Sequence, residues 1–168
     1  MPNSLPLSPL QRYLKDLDKD GFVADPAQKM AVDKLQMLYE ALISDEERRK
    51  KEAASWFNRF SKKKLTPVKG LYFWGGVGRG KTYLMDNFYE SLPFEQKMRI
   101  HFHRFMQRVH VELKTLKDQK NPLTIVADRL SEEARIICFD EFFVSDIGDA
   151  MILAGLMTVL FNNGVSLV

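Results

Sequence analysis

The eight residues Gly75-Gly-Val-Gly-Arg-Gly-Lys-Thr82 constrain this chain more than any other stretch. They fit the pattern G-x-x-x-x-G-K-[ST], with Gly75, Gly80, Lys81 and Thr82 at the fixed places. A tight β-to-α turn with a solvated lysine would carry the same letters, so the flanks decide. Before the stretch, Leu71-Tyr72-Phe73-Trp74 is a short apolar run rich in β-formers, which predicts a buried strand. After it, Leu84, Met85, Phe88 and Leu92 recur at helical spacing until Pro93. Strand, glycine-rich turn and helix together make the context of a phosphate-binding loop.

Glycines let a backbone fold around an anion with its amides pointing inward, and the positive end of the following helix adds to that field. The expected nucleotide-binding residues are Gly75, Gly76, Val77, Gly78, Arg79, Gly80, Lys81, Thr82 and Tyr83. Lys81 would reach the β- and γ-phosphates and take part in catalysis, and Thr82 would offer its hydroxyl to Mg²⁺. Arg79 can touch phosphate, although a side chain at that place more often faces solvent.

The second half of the expected site is Ile136-Ile-Cys-Phe-Asp-Glu141, a third buried strand ending in two acids. The gap after Lys81 fits helix, strand and helix. Asp140 would hold Mg²⁺, directly or through water, and Glu141 is the natural general base for an attacking water. Ligands of open α/β sheets sit at the carboxyl ends of strands, where both motifs fall. An acid next to Asp140 and the lack of an N-K-x-D guanine reader favour ATP over GTP.

Elsewhere the pattern is helical with strands between. Ser8-Pro9-Leu10-Gln11 and Asp25-Pro26-Ala27-Gln28 are helix starts. Gly21 is a plausible stop for the first helix, and Ala31, Leu35, Leu38 and Leu42 stripe the second. Residues 45–64 read as a further, charged helix whose apolar side is Ala53, Trp56, Phe57 and Phe60. Met98 to Phe102 is the second strand, and Met106, Val109, Leu113 and Leu116 stripe a helix. Asn121-Pro122 can start a helix to Leu130, although Thr124-Ile125-Val126 could also be a strand. Asp146 can cap a helix to about Phe161, with Gly164 as its stop, and Val165 to Val168 is the fourth strand. The expected fold is a parallel α/β sheet with helices on both faces. Residues 1–65 would form an N-terminal helical extension and 66–168 a partial P-loop core.

Composition narrows the class. The 168 residues hold one cysteine, so no internal disulfide argues for secretion. The net charge of +3 concentrates in residues 45–64, where eight Lys/Arg face four acids. That is a local patch and not the broad basic face of a nucleic-acid binder. With no signal-like N-terminus and no long apolar run, the expected location is the cytoplasm.

Four stretches, "PVKGLYFWGGVGRGKTYLMDNFYESLP", "RIHFHRFMQRVHVEL", "PLTIVADRL" and "ICFDEFFVSDIGDAMIL", together resemble one AAA+ family. It comprises bacterial cell-division ATPases and the mitochondrial lactation-elevated-type ATPases. The resemblance runs from about Leu7 to Val168 and is weakest over 44–65. It implies an AAA+-type P-loop NTPase with sheet order 5-1-4-3-2, Mg²⁺ and ATP as cofactors, and ATP hydrolysis. It implies the tubulin-like division-ring protein FtsZ as partner, with recruitment to the division site. The family chain is about twice as long, so this chain reads as its N-terminal half, truncated after the fourth strand. The first sensor, arginine finger, fifth strand and helical lid are then missing, and the chain alone would be weakly active or inactive. Strand one would lie at an exposed edge open to self-association.

The same resemblance bears on other residues. His103 or Arg104, at the end of the second strand, could hold Glu141 until a ligand releases it; a surface pair is the plainer reading. Gln28 could line the adenine pocket, or Asp25 and Gln28 could be only a capping box. Phe142 and Phe143 could face a substrate, with core packing the simpler role. The basic helix leaves indirect, peripheral membrane contact open. The competing function is a helicase-loader-like ATPase acting on single-stranded DNA; without a continuous basic-aromatic platform, nucleic acid is not the expected partner.

Overall fold

The computed structural model describes residues 6–19, 23, 25–54, 66–75 and 80–168. These fall into two compact units, one built on three helices and one on a parallel sheet.

The helical unit contains α1 (Pro9–Leu17), α2 (Pro26–Ala54) and α3 (Lys81–Ser91). The capping box of α1 is complete: Gln11 N donates to Ser8 Oγ at 3.3 Å and Ser8 N donates to Gln11 Oε1 at 2.9 Å. Asp25 Oδ1 accepts from Ala27 N at 2.8 Å and starts α2. Tyr13, Val32, Leu35, Leu42 and Phe88 are fully buried among the three helices. Each such side chain contributes about 1.5–3 kcal/mol. Gly21, Trp56, Phe57 and Phe60 lie outside the described residues.

Two expectations change here. The charged helix does not start at 45; residues 45–54 are the continuation of α2, which runs unbroken to Ala54. Asp45, buried in that helix, is held by Arg48 and by Arg49, whose Nε donates to Asp45 Oδ2 at 2.6 Å. Burial pushes its carboxyl up, and the Arg48 and Arg49 guanidiniums together outweigh that and hold it below the usual range. The expected first strand, Leu71–Trp74, is not a strand. Its residues alternate, with Leu71 and Phe73 half-buried while Tyr72 and Trp74 are 69% and 85% exposed. An apolar run becomes a strand only when a neighbour completes its ladder, and among the described residues none does.

The sheet unit contains β1 (Lys97–His101), α4 (Phe102–Thr115), α5 (Pro122–Glu133), β2 (Ile136–Asp140), α6 (Ile147–Asn162) and β3 (Ser166–Leu167). The strands are parallel in the order β1-β2-β3, so the expected second, third and fourth strands lie side by side. The sheet's edges are β1 and β3, not the expected edge at Leu71–Trp74. Thr124-Ile125-Val126 is helical, inside α5. Asp146 caps α6 by accepting from Asp149 N at 3.0 Å, and Gly164, at φ +78°, follows its end.

Ile137 and Phe139 point into a core with Phe105, Val109, Val126, Leu130, Leu156 and Leu160. Ile136 and Cys138 point to the opposite face and are also fully buried. Burial pushes the Cys138 thiol up to about 12.

Candidate functional site

In the helical unit the expected phosphate-binding residues lie at the start of α3. Gly80 caps that helix in the left-handed region, at φ +75°, and its carbonyl accepts from Leu84 N at 3.0 Å. A side chain there would be strained, which explains why this place needs glycine. Lys81 Nζ donates to the carbonyl of Gly75 at 2.6 Å, so the lysine spans from the helix to the first glycine of the segment. Gly76, Val77, Gly78 and Arg79 lie outside the described residues. Lys81 and Thr82 are exposed in the first turn of α3.

Two expected binders are engaged within this unit. Tyr83 donates its hydroxyl to Asp16 Oδ2 at 2.7 Å, and Asp16 also accepts from Lys19 Nζ at 2.6 Å. Burial, followed by the Asp16 bond, pushes the phenol up to about 12. The Lys19 bond, then that of Tyr83, holds the Asp16 carboxyl below its usual range. Gln28 stands with its side chain against Gly80, and its Oε1 is buried without a hydrogen-bond partner. The Asp25 side chain caps α2 through Ala27, and Gln28 Oε1 does not close a capping box with it.

In the sheet unit the two acids lie where the sequence puts them. Asp140 is the last residue of β2 and is paired in register with His101. Glu141, just beyond the strand, is exposed and has φ +54°. A non-glycine residue in that region costs about 1–2 kcal/mol. His103 and Arg104 are not at a strand end; they sit in the first turn of α4, because β1 stops at His101. Phe142 packs against Phe102 and Phe139, with ring centroids 4.6 and 5.6 Å away. Phe143 is 76% exposed, against its expected place in the core.

Arg99 is the residue that the sequence reading missed. Its Nε donates to Asp140 Oδ2 at 2.8 Å and its Nη2 to Oδ1 at 3.2 Å. The signal was the alternation Lys97-Met98-Arg99-Ile100-His101, which sets three polar residues on one face of β1.

Thr82 in the helical unit and Asp140 in the sheet unit each carry an oxygen of the kind Mg²⁺ takes. Among the described residues no helix is long and apolar enough to cross a membrane.

The family model described as AFG1-like ATPase matches residues 7–168. The cell division protein ZapE of Escherichia coli K12 is 50% identical over 96% of this chain and 45% of its own length. An uncharacterised protein of Schizosaccharomyces pombe is 35% identical over 94% of this chain and 41% of its own. Lactation elevated protein 1 homolog B of Danio rerio is 43% identical over 61% of this chain and 22% of its own. The chain thus spans less than half the length of these curated relatives. No solved structure matches it significantly. With nearly every residue under one family model, and the glycine-capped helix and strand-end acids in place, the chain belongs to the AFG1-like ATPase family.

Proposed function

We propose that this chain carries the catalytic half of an AAA+-type ATPase that binds and hydrolyses Mg-ATP. The observation that carries the reading is the start of α3, where left-handed Gly80 caps the helix and Lys81 and Thr82 stand exposed. The first-turn amides of a helix and its positive end make a seat for phosphate.

In this reading residues 75–83 bind the nucleotide, with Lys81 on the outer phosphates. Gln28 sits beside that seat and helps to line it. Thr82 and Asp140 would hold Mg²⁺, which when bound supplies charge neutralisation at the phosphate oxygens. Glu141 takes the proton of the attacking water; its exposed position suits a base that must meet water. The three strands would be the second to fourth of the 5-1-4-3-2 order, and the open edge at β3 leaves room for strand addition, including self-association.

The name of the E. coli relative supports a role in cell division. We read the partner as the division-ring protein FtsZ, met in the cytoplasm at the division site. Hydrolysis by the complete protein, unsubstituted and as Lys81→Ala, tests this, with and without FtsZ polymer or single-stranded DNA. The expected result is a loss of about 10²–10³-fold in the variant and stimulation by FtsZ. Equal rates in the two versions would sink the enzyme reading. Stimulation by DNA alone would replace the partner with the helicase-loader alternative.

A further inference from the structure

The sheet face turned away from the helical core has its own chemistry. In a parallel ladder, residues paired in register point to the same side. Lys97, Arg99 and His101 of β1 therefore lie beside Ile136, Cys138 and Asp140 of β2. Arg99 does not stop at its own partner, Cys138. It reaches two residues along the neighbouring strand and grips both oxygens of Asp140.

We propose that Arg99 is a positioning residue that sets the metal affinity of Asp140. Its guanidinium and a divalent cation share one carboxylate, and each weakens the other's hold. The proposal rests on the reading that Asp140 is the Mg²⁺ ligand.

Three observations support it. The contact is a two-point fork, the strongest form of arginine–carboxylate pairing. Both side chains are mostly shielded, 22% and 21% exposed, so water screens the pair only in part. An ionised carboxylate has about four lone-pair sites and the fork uses two, so a cation can still approach. What the fork removes is net charge, and the binding of a hard cation by oxygen depends on that charge.

The test is Mn²⁺ binding to the complete protein in saturating ADP, followed by electron paramagnetic resonance. Arg99→Met removes the competing charge and should bind Mn²⁺ about 3–10-fold more tightly, the range for a coupled contact pair. Arg99→Lys keeps the charge but loses the two-point fork, so its affinity should fall between that of the unsubstituted protein and that of Arg99→Met. In an Asp140→Asn background the gain from Arg99→Met should vanish. An unchanged or weaker affinity in Arg99→Met overturns the proposal, as does a gain that persists with Asp140→Asn.

If Arg99→Met does not fold by circular dichroism, Arg99→Gln gives the same reading. Failure of both neutral variants to fold also overturns it, since the pair would then serve to hold the sheet. If the unsubstituted protein takes up no Mn²⁺ with ADP, the nucleotide reading itself falls, and this proposal with it. If it does, and Arg99→Met is unchanged, only this proposal falls.

Discussion

Gln28 sets its side-chain amide nitrogen 2.6 Å from the point where a β-carbon on Gly80 would stand. Gly80 is thus fixed twice, by its φ of +75° and by this neighbour. Gly80→Ala should lower stability by about 1–2 kcal/mol from backbone strain alone, and weaken ATP binding at least tenfold. Adding Gln28→Ala clears the space but leaves the strain. The double variant should therefore recover only part of the loss in thermal melting.

The Asp16–Tyr83 bond ties α1 to α3. Tyr83→Phe should cost about 0.5–1.5 kcal/mol near pH 7. The signs at the two ends of the pH scale differ. The folded Asp16 carboxyl lies below its ordinary value of 3.8, so its contribution is present above that value and lost as pH falls through the folded one. Tyr83 is raised from 10.0 to about 12, so its contribution is present below the first value and lost as pH rises through the second. The gap in melting temperature between the two proteins should be widest at neutral pH and close towards both extremes.

Glu141 separates chemistry from backbone. Glu141→Gln keeps a side chain at φ +54° and should leave melting unchanged while hydrolysis falls about 10²–10⁴-fold. Glu141→Gly should lose hydrolysis as well but gain about 1 kcal/mol, because glycine accepts that backbone freely. A stable, fully active Glu141→Gln protein would remove this residue from the mechanism.

Arg108 clamps α4 to α5 through Glu133, with Nη1 to Oε2 at 2.8 Å, and its Nε also donates to Glu112 at 2.9 Å. Both partners are partly exposed, so Arg108→Met should cost no more than about 1 kcal/mol in urea unfolding. Arg108 holds the Glu133 carboxyl below its ordinary value of 4.5. The effect should be present above that value, fade as pH falls through the folded value, and shrink in high salt.

Of the strands in the sheet, β2 was plain as a short apolar run, and β1, which alternates polar and apolar residues, pairs beside it. Ile136-Ile137-Cys138-Phe139 needs both faces covered and has them covered. Leu71–Trp74 carries an equally good β signal, but propensity cannot supply a neighbour, and without one no ladder forms. Ser44-Asp45-Glu46-Glu47 imitates a helix start. No Gly or Pro precedes it, however, and Arg48 and Arg49 satisfy Asp45 inside a helix that simply continues. Phosphate-loop residues were legible because their spacing is fixed by backbone geometry. Arg99 was not, since its meaning depends on which strand lies beside it and in what register.

The lone cysteine lies on the central strand of that sheet, two residues from Asp140. A thiol that is both shut away and protonated at ordinary pH does not meet an alkylating reagent. Iodoacetamide can therefore mark it only when the strands part. The natural chain carries its own clock for that event, and the pace of labelling, with and without ADP, would time how firmly nucleotide keeps the two acids on a closed sheet.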